Sequence, residues 1–373
     1  MATRPGALDP ARRLLLSRAK LTALVRAHWD VGAFDGHPRP AVSGLVARRG
    51  DQGWMLVEEE TDRALGRGLL WALRSGVREL HYLFSADDEA ASPAARRGRL
   101  FDTRVAVWRV QGTELSPVVA EPLRPEAPLD PGARPYTEVL AAAGADPVVE
   151  WGSLYGDVWG LEAARVERED GELWLGVGVT KEDRLTHRLM WGDEPGVDAV
   201  RSVVDQVRYT REQDDLAHPL NQLARERWLR AWLLRDPGQV GATALEAVSP
   251  PAPRPDDVRI RRPAAAVGPD RLGAPMLVVC SVGFDSEALP MALELAEAAN
   301  AQGGRTVRLV LVQPARDDHP LLRLARDDAL LPVELATVPD DWPRRCREEL
   351  AGPRPAPPPL RPSGEWPRGA TPV

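Results

Sequence analysis

Two stretches of this chain alternate short apolar runs with amphipathic helical segments in the same order, and that alternation commits a chain to parallel sheets. The first stretch opens with a strand over 54–57, passes through a helix over 62–74 and reaches a second strand over 79–84. A helix over 92–101 and a strand over 104–110 complete it. The second runs as strand 276–280, helix 286–299, strand 306–312, helix 320–329 and strand 332–338. The helical register also carries over. Ala64, Leu65, Leu69 and Ala72 share one face, and Ala288, Leu289, Leu293 and Ala296 take the same phase about 224 residues later. The expected fold is α/β, with two β-α-β-α-β, Rossmann-like lobes of parallel strands separated by a β-hairpin plus helices. Ligand sites in such sheets lie at the carboxyl ends of the strands.

The segments between these stretches set the domain organisation. Residues 1–44 read as a helix and a loop, the helix carrying Leu14, Leu15, Leu21, Leu24 and Val25 on one face. The first lobe spans 45–120, a Pro-rich connection spans 121–146, and a middle region of hairpin and helices spans 147–246. Within it Asp170-Gly171 is a hairpin-turn pair, and 219–235 reads as one long helix with Pro219 at its first position. Its stripe of Leu220, Leu223, Ala224, Trp228, Ala231 and Trp232 faces a core, and Arg225, Arg227, Arg230 and Arg235 line its other faces. A Pro/Arg-rich linker over 247–275 leads to the second lobe over 276–340, and a Pro-rich tail over 341–373 is expected to be disordered.

Charge and composition exclude several classes. A formal net charge of −7 argues against whole-chain attraction to nucleic acid. The arginines of the first fifty residues read as a solvated helix face. Lys20 and Lys181 are the only lysines, and the heavy use of Arg, Ala, Gly and Pro matches a GC-rich coding bias. Cys280 and Cys346 are the only cysteines, which leaves no disulfide framework and no cysteine-rich zinc site. No apolar run approaches the roughly 18–20 residues needed to span a bilayer. A cytoplasmic location is expected, with no membrane association.

The sharpest local signal is Cys280-Ser281-Val282-Gly283-Phe284-Asp285-Ser286, where a strand feeds a helix N-terminus. Unpaired N–H groups and the helix dipole favour a phosphate at such a turn. The pattern Ser-x-Gly-x-Asp-Ser resembles the phosphate loop of PP-loop ATP pyrophosphatases, with Val282 in place of that family's second loop residue, a glycine. The resemblance implies that Ser281, Gly283, Asp285 and Ser286 hold a nucleotide or another anion. Helix capping by Asp285 or Ser286 is the plainer role for the same residues.

The first lobe carries acids at the equivalent places. Glu58 and Asp62 follow its first strand, and Asp87 and Asp88 follow its second. Hard oxygen ligands on adjacent strand ends suit Mg²⁺, and the arrangement is similar to the Toprim domain of primases and topoisomerases. It implies a metal-dependent nucleic-acid enzyme as an alternative to anion binding. Asp157 and Glu162 suggest a third pattern, the PD-(D/E)xK nuclease core, but Ala164 stands where that chemistry needs lysine. No Walker A sequence, nucleophile elbow or dinucleotide fingerprint is present, so no particular cofactor is indicated. A non-catalytic protein that binds a partner through the Trp228/Trp232 helix or the Pro-rich tail is the remaining expectation.

Overall fold

A computed structural model describes residues 9–123, 125–192, 196–213, 215–250, 258–303 and 306–350. Most of the predicted Pro-rich tail lies outside these residues, as does part of the predicted linker over 247–275. Two compact units emerge. Of the described residues, the first comprises those within 9–122 together with 289–294 and 319–332; the second comprises those within 123–288, 295–318 and 333–350.

The first unit opens with α1 (Pro10–Trp29), followed by β1 (Arg39–Ala41), β2 (Gly44–Arg49) and β3 (Gln52–Val57). Helix α2 (Ala64–Ser75), β4 (Glu79–Ser85), α3 (Ala91–Gly98), β5 (Arg104–Gln111) and β6 (Glu114–Pro117) complete the run. The strands form one sheet in the order β1-β2-β3-β4-β5-β6. Strands β3, β4 and β5 are parallel, as the alternation demands, and β1, β2 and β6 add antiparallel edges. Leu21, Leu24 and Val25 of α1 are buried against this sheet with Trp54 and Leu56, while Leu15 stays exposed. His81 sits inside an aromatic group of Trp29, Trp54 and Trp108. The Trp108 Nε1–H donates to His81 Nδ1 at 3.2 Å, which places the imidazole proton on Nε2. Burial lowers the His81 pKa, against the raising effect of Glu79.

The second unit begins with α4 (Pro135–Ala142) and a four-stranded meander, β7 (Asp146–Glu150), β8 (Ser153–Val158), β9 (Leu161–Glu169) and β10 (Glu172–Val177). All its pairings are antiparallel. Each connection is a two-residue turn with left-handed backbone: Trp151-Gly152, Trp159-Gly160 and Asp170-Gly171. This is the primed hairpin geometry, whose twist matches the flanking strands. Two of the three turns place tryptophan where Asn or Asp is usual. Their rings are held, Trp151 by donating to the Pro250 carbonyl at 2.9 Å and Trp159 by burial.

Helices α5 (Lys181–Trp191), α6 (Val197–Glu212), α7 (Pro219–Gln222) and α8 (Arg225–Arg235) follow. The single helix expected over 219–235 is therefore broken. Leu223 is extended and Ala224 is left-handed, at φ 47°. The buried guanidinium of Arg211 takes the Leu223 carbonyl at 2.9 Å. An unbroken helix would give that carbonyl to the Arg227 N–H, which instead bonds to Ala224. The fully buried Asn221 secures the same corner by donating to the Thr210 and Asp215 carbonyls.

The chain continues with β11 (Glu246–Val248), β12 (Ala264–Pro269), β13 (Pro275–Cys280), α9 (Ala288–Gly303), β14 (Arg308–Pro314), α10 (Pro320–Asp327), β15 (Val333–Val338) and α11 (Trp342–Leu350). Helix α10 and residues 289–294 group with the first unit, where the Glu294 carboxylate accepts from Arg96 and Arg97. The sheet runs β11-β12-β13-β14-β15, with β13, β14 and β15 parallel and the first two strands antiparallel. This is the same order of directions as β1 to β5. Helix α8 packs on β12 and β13, and Trp228 and Trp232 are wholly buried in the core of this unit. Their indoles are thus inaccessible to a partner or to bases. Among the described residues no helix is long and apolar enough to cross a membrane.

The β8–β9 turn meets the first turn of α8 backbone to backbone. A Cβ on Gly160 would stand 2.2 Å from the Trp228 nitrogen, and Gly160 has φ +84°. Gly171 has a similar φ of +88° but open space around it. Gly160→Ala is expected to lower unfolding free energy by about 2–5 kcal/mol, the sum of left-handed strain and overpacking. Gly171→Ala should cost only about 1–2 kcal/mol. Urea denaturation of the two variants checks the difference.

Candidate functional site

At the carboxyl ends of β13 and β14 the predicted Ser281–Ser286 turn is assembled with groups from elsewhere in the chain. Ser281 is buried and its N–H continues the ladder to the Val312 carbonyl at 2.9 Å. Gly283 is left-handed, at φ +77°, and its N–H donates to Asp317 Oδ2 at 2.7 Å. Asp285 is buried and accepts from the Glu287 N–H at 3.0 Å, and its carbonyl accepts from Ala288, the first residue of α9. Asp285 thus holds the turn that leads into the helix, and Ser286 is half-buried beside it. A carboxylate from the loop after β14 therefore occupies the backbone donor that this turn would offer to a phosphate.

Three arginines surround the turn. Gly283 has φ +77°, which favours glycine, and Arg261 Nη1 would lie 2.6 Å from a Cβ there, so a side chain would also have to move the guanidinium. Arg225, the first residue of α8, has its pKa lowered by burial, then by Arg316, with Arg261 acting in the same sense. Its Nε and Nη2 are buried and have no acceptor among the described residues. Glu226, next along α8, is buried, and burial raises its pKa to about 7, with Asp285 adding to the rise and Arg261 and Arg225 opposing it. Asp317 completes the group, with Arg316 Nε at 4.0 Å from it. The sequence signal found the turn. It missed Arg225, Arg261 and Arg316, which come from three separate loops or helix starts and share no local pattern.

The first turn of α8 also borders a cleft of about 40 Å³, lined by Glu226, Glu150, Arg227, Arg230 and Arg262 among others. Arg230 Nη1 donates to Glu150 Oε1 at 2.7 Å, both side chains being buried. Asp157 is close enough to Arg227 and Arg230 for both to favour its charge, but burial dominates and raises its pKa to about 6. Its Oδ1 accepts from the Gly160 N–H at 2.8 Å. Glu162, its cross-strand partner, is engaged by Arg165 at 2.8 Å and faces Arg184. Guanidinium groups thus attend the second acid of the nuclease-like pair. Cys280 is fully buried and its thiol pKa is pushed up to about 12, which leaves it unreactive.

The acids of the first unit have local partners. Glu58 Oε1 accepts from the Ser17 hydroxyl at 2.5 Å, Asp87 Oδ1 from the Ser85 hydroxyl at 2.8 Å, and Asp88 Oδ1 from the Ala90 N–H at 2.9 Å. Asp62 lies in the short 3₁₀ turn before α2. The Asp87 pKa is lowered, first by its bond from Ser85. Among the described residues no three His, Cys, Asp or Glu side chains are grouped to hold a metal ion. No family model, curated protein or solved structure matches the chain.

Asp157 gives this region a pH signature. Its folded pKa of about 6 lies above the ordinary value of 3.8, so the native state holds the proton more tightly than the unfolded chain. The associated stability is complete below about pH 4 and is lost as the pH rises through about 6. A rise of that size corresponds to about 3 kcal/mol. Asp157→Asn keeps an oxygen for the Gly160 N–H and removes the buried charge. It should be more stable than the parent by about 1–3 kcal/mol at pH 8 and show no such advantage at pH 4. Thermal melts of both proteins across that range check it.

Proposed function

We propose that the protein binds an anionic, phosphoryl-bearing ligand at the carboxyl ends of β13 and β14. The reading rests on Arg225, whose buried Nε and Nη2 have no acceptor among the described residues, while burial and then Arg316 and Arg261 depress its pKa. Like charges gathered at a strand end, with donors left unpaired, are stabilised by an anion that accepts from them. The location agrees with where open α/β sheets bind ligands. The overall charge of −7 makes the attraction a local property of these arginines.

Three carboxylates, Glu226, Asp285 and Asp317, share the site and set its selectivity. Asp317 competes most directly, because a phosphate oxygen that used the Gly283 N–H would displace it. The ligand is bound rather than transformed in this reading. No nucleophile and no metal-ligating group of three is assigned to the site.

Melting temperature in phosphate, pyrophosphate and ATP with Mg²⁺, at constant ionic strength, tests the proposal. A ligand at about 100 times its Kd stabilises the native state by about 2.7 kcal/mol, a rise of a few degrees. Arg225→Gln and Arg316→Gln should each abolish the rise. Asp317→Asn, which withdraws the competing charge, should enlarge it. A melting temperature unmoved by every one of these anions overturns the proposal.

A further inference from the structure

Helix α1 is fastened to its sheet at the carboxyl end by a group of rings. Trp29, the last residue of α1, has its ring centroid 4.8 Å from that of His81 on β4, 5.4 Å from Trp108 on β5 and 6.0 Å from Trp54 on β3. Phe34, in the loop after the helix, reaches Trp54 at 5.9 Å. His81 is buried among them and stacks on Trp54, its cross-strand partner, with 17° between the ring planes. The helix end and the following loop are therefore held through a group that contains one titratable ring.

The hydrogen bond at that ring is incompatible with a second proton. An indole N–H only donates, and at 3.2 Å the Trp108 Nε1–H occupies the lone pair of His81 Nδ1. A proton on Nδ1 would set donor against donor, and turning the ring over would set a carbon before the indole instead. The other nitrogen, Nε2, is buried and makes no hydrogen bond among the described residues, although Glu79 Oε1 stands 3.4 Å away. We propose that His81 is a proton-operated latch: protonating its ring breaks the Trp108 bond and frees Trp29 and Phe34 from the sheet. Leu21, Leu24 and Val25, buried further back along α1, keep the rest of the helix in place. The latch lies wholly in the first unit and does not depend on the phosphoryl-ligand reading.

The groups around the ring come from four elements. Strands β3 and β5 face it with the indoles of Trp54 and Trp108, which do not titrate. On β4 itself, Glu79 is the charged group that acts on the ring, raising its pKa against the larger lowering by burial. The Glu79 carboxylate is partly exposed and also accepts from the Gln52 amide at 3.1 Å, which tempers its pull. On α1, His28 adjoins Trp29 but is exposed, with its Nε2 3.0 Å from the Thr113 carbonyl. The folded His81 pKa thus lies below its ordinary 6.5, and the closed group binds the proton less tightly than the opened one. Closure is fully favoured above about pH 6.5 and loses ground as the pH falls below it.

Hydrogen exchange of the full chain, read by mass spectrometry over residues 24–34 and corrected for the intrinsic pH dependence of exchange, tests the latch. Between about pH 7.5 and about pH 5, protection over these residues should fall about tenfold or more. His81→Gln offers Trp108 an amide oxygen and does not titrate, so it should abolish the fall. Trp108→Phe removes the donor that forbids the proton; it should shrink the fall, and it serves if His81→Gln does not fold. His28→Gln should leave the fall intact. Protection that stays level in the parent, a fall kept in full by His81→Gln or by Trp108→Phe, or a fall abolished by His28→Gln would each overturn the proposal.

Discussion

The contact between the Arg211 guanidinium and the Leu223 carbonyl controls the part of this molecule where its chemistry is concentrated. Arg211 is wholly buried and stacks on the Trp228 ring at 4.1 Å. Burial lowers its pKa to about 9, so it remains a cation inside an apolar core at neutral pH. Desolvating such a group is expensive, and a carbonyl acceptor with an aromatic face returns only part of the cost. What the contact secures is a chain reversal. By claiming the carbonyl that would continue the helix, it ends α7 and starts α8 at Arg225.

That restart decides which way the next residues point. The first turn of α8 rests on the Gly160 turn and sends Trp228 and Trp232 into the core. Arg225 and Glu226 are left at the ends of β13 and β14, and Arg227 and Arg230 face the cleft beside Glu150. Four charged residues within six positions thereby serve two environments. The low dielectric around them explains why Glu226 and Asp157 both hold protons more strongly than exposed carboxylates do. The first unit shows the opposite arrangement. Its acids sit at the surface, and hydroxyls and backbone N–H groups satisfy Glu58, Asp87 and Asp88 locally.

The parallel strands and their helices were legible because burial on both faces writes continuous apolar runs, and helices covering them write a 3.6-residue stripe. The flanking strands were less so. Strand β12 reads only as a run of alanines with one valine, and β1 and β11 are three residues long, too short for any period. The turns Trp151-Gly152 and Trp159-Gly160 are not legible in the sequence because tryptophan carries no turn signal; tertiary contacts to the indoles hold those angles. The break at Leu223-Ala224 is invisible locally, since both residues fit the helical stripe and the competing donor lies twelve positions away.

By itself, then, the sequence determined the α/β class, the positions of the parallel strands and the turn at Ser281–Ser286. These follow from local periodicity and from backbone preferences that neighbouring residues impose on one another. Tertiary structure alone decided that Asp317 would occupy the Gly283 N–H and that Arg225, Arg261 and Arg316 would gather around it. It also decided that Arg227 and Arg230 would be buried. Charge clusters are made by residues far apart in the chain, and their proton affinities depend on burial, a property no single segment possesses before the chain has folded.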